Sequence, residues 1–182
     1  RLIPFDMAGG NPAFKAFSPT GKVPVLVDEG ATIWESLAIL DHVARKHPDS
    51  GLWPDDPVLR SRAMAMSSEM VSSFHALRSA CPMNMRRKRM PIAQTPGLLA
   101  DVARIQVLWR ESLDQNSGPF LLGGFSIVDA MYAPVVNRLD VYAFNIHQDV
   151  SDYMARLKAL PAWGEWVTAA RAEPWIVEED EA

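Results

Sequence analysis

Two spacings of apolar residues divide the chain. Up to residue 47 short apolar runs are separated by turn residues; beyond residue 57 apolar positions return every three or four residues. In the first part, Arg1-Leu2-Ile3-Pro4-Phe5 reads as a short strand and Asp6 to Pro19 as a loop around Gly9-Gly10-Asn11-Pro12. Ala13 to Phe17 predicts a single helical turn, ended by Ser18-Pro19. Val25-Leu26-Val27 is a strand entered through Pro24, where a missing N–H is tolerated. Asp28-Glu29-Gly30 reverses it, because Gly30 can take the positive φ of a tight turn, and Thr32-Ile33 returns as a second strand. From Ser36 to Lys46 the residues Leu37, Leu40, Val43 and Ala44 share one helical face, and His47-Pro48 ends the helix.

The second part is helical throughout. Met66, Met70, Phe74 and Leu77 predict one long helix from Val58 to Ser79, broken by Cys81-Pro82. Leu98, Val102, Ile105, Trp109 and Leu113 place another over residues 96–114. A third starts at Ser126, carries Val128, Met131, Val135, Leu139 and Tyr142, and is kinked by Pro134. Ser151–Ala159 and Pro161–Glu173 complete the set. Ser126-Ile127-Val128-Asp129 is an acidic capping box, with Phe125 and Ala130 at the staple positions. The expected architecture is therefore α/β followed by all-α. Residues 1–47 form one domain, the proline-bearing stretch 48–57 a linker, and 58–182 an all-helical domain.

Candidate chemistry concentrates at the junction of strand and helix. Val23, just before a proline, keeps its backbone N–H and C=O for an outside partner. Ser36 opens a helix and offers a hydroxyl and unpaired N–H groups to a carboxylate. Glu35 beside it can accept hydrogen bonds from an ammonium. A backbone edge, a carboxylate seat and an ammonium seat together suit a small peptide with an amino-acid head. The plainer alternative makes Ser36 an N-cap and Glu35 a first-turn acid favoured by the helix dipole.

Val23-Pro24 followed by Glu35-Ser36, in this order and spacing, resembles the glutathione-binding half of the cytosolic glutathione S-transferase family, and the capping box resembles that of the family's helical domain. The resemblance implies an incomplete thioredoxin-like domain at residues 1–47 and a glutathione-transferase helical domain after it. It implies that Val23 pairs its backbone with the cysteinyl part of glutathione, that Pro24 is cis, and that Glu35 and Ser36 hold the γ-glutamyl amino and carboxylate groups. Lys22 is placed either on the glycyl carboxylate or in solvent. The implied reaction is attack of the glutathione thiolate on an electrophilic small molecule, by a homodimeric cytoplasmic enzyme of detoxification without a metal. The family's first strand and helix, with the thiol-activating Ser, Tyr or Cys, are expected before Arg1. Two other readings stay open: a non-catalytic scaffold of the same fold, and a glutathione-dependent thiol-disulfide reductase.

Composition narrows the field. A net charge of −4 argues against a general nucleic-acid binder. The one cysteine, Cys81, excludes an internal disulfide framework and suits a reducing compartment. No apolar run approaches a membrane span, and no signal peptide is visible. Cys81 follows a helix C-terminus, the wrong end for lowering a thiol pKa, and reads as structural. The run Arg86-Arg87-Lys88-Arg89 reads as a solvated loop face, or with Pro82-Met83-Asn84 as the mouth of a second-substrate site. Met64, Ser67, Ser68 and Val71 are possible lining residues there, with Met64 and Val71 favoured as core. His42, His47, His75 and His147 show no metal spacing, and Glu178 to Glu181 reads as a frayed acidic tail.

Overall fold

A computed structural model describes Ile3, residues 9–174, 176–177 and 180–181. The strand expected over Arg1–Phe5 lies, Ile3 aside, outside the described residues. The chain forms two compact units, Arg1–Ser50 and Gly51–Ala182.

In the first unit a 3-10 turn, Pro12–Ala16, precedes strands β1 (Val25–Asp28) and β2 (Ala31–Trp34) and helix α1 (Ser36–Lys46). The strands pair antiparallel, from Val25 opposite Trp34 to Asp28 opposite Ala31. That register leaves a two-residue loop, Glu29-Gly30, with φ of 48° and 84°. Positive φ at both central positions matches the right-handed twist of the strands, which is why glycine sits there. Helix α1 is tied to the hairpin by charge. Asp28 Oδ2 accepts from His42 Nε2 at 2.7 Å and from Lys46 Nζ at 2.6 Å, and Lys46 also donates to Glu29 at 3.0 Å. These hydrogen bonds hold the Asp28 carboxyl below its ordinary pKa and the Lys46 ammonium above its own.

A second 3-10 turn, Pro48–Ser50, ends the unit. The rest is helical: α2 (Pro57–Ser72), α3 (His75–Ala80), α4 (Pro96–Gln115), α5 (Ile127–Val141), α6 (Gln148–Lys158) and α7 (Pro161–Ala172). Three of these begin where the sequence supplies a cap. Asp56 accepts from the Val58 and Leu59 amides, and Thr95 accepts from Leu98, each ahead of a proline at the first helical position. Ser126 and Asp129 form the expected capping box at α5.

Helix α5 is the centre of the unit, burying Ile127, Val128, Tyr132, Val135, Val136 and Leu139. Trp109 of α4 lies edge-on between Tyr132 and Tyr153, with ring centroids 5.4 and 5.0 Å away, an arrangement that the ring quadrupoles favour. Asp129, itself fully buried, gathers four donors. Oδ1 accepts from the Leu121 amide (3.2 Å) and the Tyr153 hydroxyl (3.1 Å); Oδ2 accepts from the Ser126 amide (2.9 Å) and hydroxyl (3.1 Å). Burial pushes its pKa up, against the opposing pull of those donors.

The single helix expected over residues 58–79 is in fact two. Ser73 is extended and Phe74 is left-handed (φ 59°, ψ 38°), so the chain breaks and restarts. Tertiary contacts override the periodicity. Phe74 is buried beside Tyr132, Asp101 of α4 accepts the Leu77 amide at 3.0 Å, and Arg78 donates to the Val71 carbonyl at 3.1 Å.

Candidate functional site

The sequence-predicted residues adjoin the two ends of the hairpin in sequence. Val23-Pro24 leads into β1 and Glu35-Ser36 leads out of β2, so both flank the Val25–Trp34 end of the hairpin, opposite the Glu29-Gly30 turn. The Val23–Pro24 peptide is cis. Val23 is 43% exposed, and among the described residues nothing hydrogen-bonds its N–H or C=O.

Helix α1 starts at Ser36, with Glu35 as the cap residue and no side-chain cap. The plain N-cap reading of Ser36 therefore does not describe this end. The first hydrogen bond of the helix runs from the Ile39 amide to the Glu35 carbonyl, which leaves the amides of residues 36–38 without helical partners. Glu35 holds φ 66° and ψ 126°, a conformation uncommon for a residue with a side chain. This kink ends β2 and starts α1 within one residue. The Glu35 carboxylate is exposed and the Ser36 hydroxyl half-buried, and neither is hydrogen-bonded by another described residue. Free amides at the positive end of a helix, next to an uncommitted carboxylate, can receive a carboxylate and an ammonium carried on one carbon. Lys22 is exposed and adds positive charge beside Val23.

Sequence reasoning passed over Ser18. Its buried hydroxyl donates to the Lys22 carbonyl at 2.6 Å and accepts the Lys22 amide at 3.1 Å. The turn-rich Ser18-Pro19-Thr20-Gly21 was a signal for a bend, though not for what the hydroxyl holds.

The other candidates fall differently. Cys81 is fully buried, and burial pushes its thiol up to about 11 despite Arg138 and Arg87. The basic run is only partly a solvated face: Lys88 and Arg89 are exposed, while Arg86 and Arg87 are half-buried. Arg87 lies 4.4 Å over the Tyr142 ring, Arg89 faces Asp140 at 3.6 Å, and Arg86 donates to the Glu173 carbonyl at 3.1 Å. Asn84 fixes the turn by accepting the Arg86 and Arg87 amides. Of the acidic tail, Glu178 and Glu179 lie outside the described residues. Asp180 and Glu181 are anchored, through Asn84 to the Asp180 carbonyl at 3.1 Å and Arg86 to Glu181 at 3.4 Å. On α2, Met64 and Val71 are exposed with Ser68, correcting their assignment to the core, while Ser67 is fully buried. Among the described residues no three His, Cys, Asp or Glu side chains gather as a metal site, and no helix is long and apolar enough to cross a membrane.

Comparison with known proteins gives the class. The family model "Glutathione S-transferase, N-terminal domain" matches residues 1–51, and "Glutathione S-transferase, C-terminal domain" matches residues 92–169. The chain belongs to the glutathione S-transferase family, with a thioredoxin-like α/β unit followed by an all-helical one. Among relatives it is 31% identical over 142 residues to a probable maleylacetoacetate isomerase of Caenorhabditis elegans, covering 76% of this chain and 64% of that protein. Over 78 residues it is 33% identical to the maleylacetoacetate isomerase of Pseudomonas aeruginosa, covering 42% of this chain and 37% of that one. The chain thus spans less than two thirds of either relative. The fold also matches a diazinon-metabolizing glutathione S-transferase of the silkworm Bombyx mori, at TM-score 0.71 and 24% identity over 93% of this chain and 83% of that one. A Burkholderia glutathione transferase homolog with bound glutathione matches at TM-score 0.69 and 20% identity, over 89% of this chain and 80% of that one.

Proposed function

We propose that this chain is a glutathione-dependent enzyme that binds glutathione at the open end of its hairpin and directs the thiolate at an electrophilic small molecule. The observation that supports the reading is the cis Val23–Pro24 peptide at the entry to β1 with Glu35-Ser36 at the exit of β2 and the uncapped start of α1. Val23 takes the cysteinyl backbone, the Ser36 hydroxyl and the α1 amides take the γ-glutamyl carboxylate, and Glu35 takes its ammonium. Lys22 faces the glycyl carboxylate. Residues 1–47 serve glutathione, 48–57 connect, and 58–182 carry the second substrate, with Met64, Ser68 and Val71 as an exposed, partly apolar stripe for it. The enzyme works as a cytoplasmic homodimer without a metal. The protein's part is to hold the sulfur in place, which replaces a bimolecular encounter by an oriented one.

Two outcomes are open to such a thiolate. In conjugation a carbon–sulfur bond forms, the leaving group departs, and glutathione is consumed. In isomerisation the thiolate adds to an activated double bond, the new single bond rotates, and the thiolate leaves again. The names of the worm and Pseudomonas relatives favour the second reading. A thiol count separates them: conjugation consumes one thiol per turnover, and isomerisation of a maleyl-type cis double bond consumes none. The site is tested by Glu35→Ala with Ser36→Ala, for which glutathione affinity should fall at least about tenfold, about 1.4 kcal/mol. Unchanged affinity in a folded double variant would sink the assignment.

A further inference from the structure

The Ser18 hydroxyl acts on one residue in both directions, and that residue adjoins the proposed glutathione edge. Ser18 is 5% exposed. It is fixed from below by its own amide, which donates at 2.8 Å to the carbonyl of Phe14, a residue only 4% exposed. Its hydroxyl gives its single proton to the Lys22 carbonyl at 2.6 Å and accepts the Lys22 amide at 3.1 Å. Thr20 Oγ1, at 3.3 Å, occupies the remaining capacity of the oxygen. The segment between closes as a turn: the Gly21 amide donates to the Ser18 carbonyl at 3.2 Å, Thr20 Oγ1 shares the Lys22 amide at 3.4 Å, Gly21 sits at φ +67°, and Pro19, Thr20 and Lys22 are exposed.

The Lys22 carbonyl and the Val23 N–H belong to one planar, trans peptide unit, so they point in opposite directions. Holding the carbonyl on a buried hydroxyl therefore aims the Val23 N–H the other way. We infer that Ser18 is a positioning residue for glutathione: through the Lys22 carbonyl it orients the Val23 amide that pairs with the cysteinyl backbone. The inference rests on the glutathione reading of Val23. Ser18 itself touches no ligand; it acts by preorganising an edge that a backbone partner would otherwise have to order on binding.

The test compares the full-length protein with Ser18→Ala and Ser18→Thr, by calorimetric titration of glutathione and by amide hydrogen exchange. Ser18→Ala should weaken glutathione about tenfold, and Ser18→Thr, which keeps the hydroxyl, should return affinity to within about threefold of wild type. Faster exchange in Ser18→Ala should be confined to the amides of residues 20–23, with α1 and the second unit unchanged. A loss smaller than about threefold in Ser18→Ala, or a Ser18→Thr no better than alanine, overturns the inference. So does exchange that quickens across the whole first unit, which assigns Ser18 to folding instead. Absence of glutathione binding by the folded wild type is a different result, and it overturns the function on which the inference stands.

Discussion

Replacing Asp129 by alanine removes the most connected polar group of the helical unit. Four hydrogen bonds end on its two oxygens, and the group is wholly buried. Ser126 loses its box partner, a cap effect of about 0.5–2 kcal/mol. The Leu121 amide and the Tyr153 hydroxyl are left in the interior without an acceptor, at about 1–3 kcal/mol each. Removal of a buried carboxylate, which burial disfavours, returns part of this. The net expectation is a loss of about 3–5 kcal/mol, comparable to breaking a buried ion pair and a large part of a typical domain's stability. Tyr153→Phe alone should cost about 1 kcal/mol. In the double variant the costs should fall short of their sum by about 1 kcal/mol, because the hydroxyl stranded by the first change is deleted by the second. Urea unfolding followed by tryptophan fluorescence reports the change directly, since Trp109 packs against Tyr153. A loss below about 1 kcal/mol for Asp129→Ala, or strict additivity with Tyr153→Phe, would refute the reasoning.

Two further outcomes follow from the titrating groups. Cys81 is buried with its thiol pushed up to about 11, so it should react with a disulfide reagent at pH 8 only as fast as the helical unit opens; rapid stoichiometric labelling of the folded chain would contradict this. The Asp28–Lys46 latch should be pH-dependent in a defined window. The folded pKa of Asp28 lies below 3.8, so its contribution is present above 3.8 and lost as pH falls through the folded value; that of Lys46 lies above 10.5, so its contribution is present below 10.5 and lost as pH rises. The melting-temperature gap between wild type and Asp28→Asn should persist between these limits and close on acidification. A gap that does not narrow as pH falls below 3.8 would count against the latch.

How much of this was legible in the sequence depended on how local each cause was. Helix α1 has the expected bounds, Ser36 to Lys46, because apolar spacing and the His47-Pro48 stop act within the segment itself. The capping box at Ser126 was equally local, but Asp129's bonds to Leu121 and Tyr153 come from other parts of the fold. The break at Phe74 was invisible for the same reason: its periodicity is helical, and only Tyr132 and Asp101 show why the chain turns there. Of the candidate site, residue types and order were readable. What was not readable was the kink at Glu35, which makes Glu35 rather than Ser36 the cap residue of α1, and the hydroxyl of Ser18. In the basic run the half-buried Arg86 and Arg87 were not readable, because charge alone says nothing of the Tyr142 ring and the Glu173 carbonyl that receive them.

The central claim is that Val23, Glu35 and Ser36 form a glutathione seat. Titrating glutathione into the full-length protein in a calorimeter tests it most directly. Saturable binding is expected, with a dissociation constant between about 1 μM and 1 mM, that is a standard free energy of about −8 to −4 kcal/mol. A folded protein that gives no saturable heat with glutathione would contradict it.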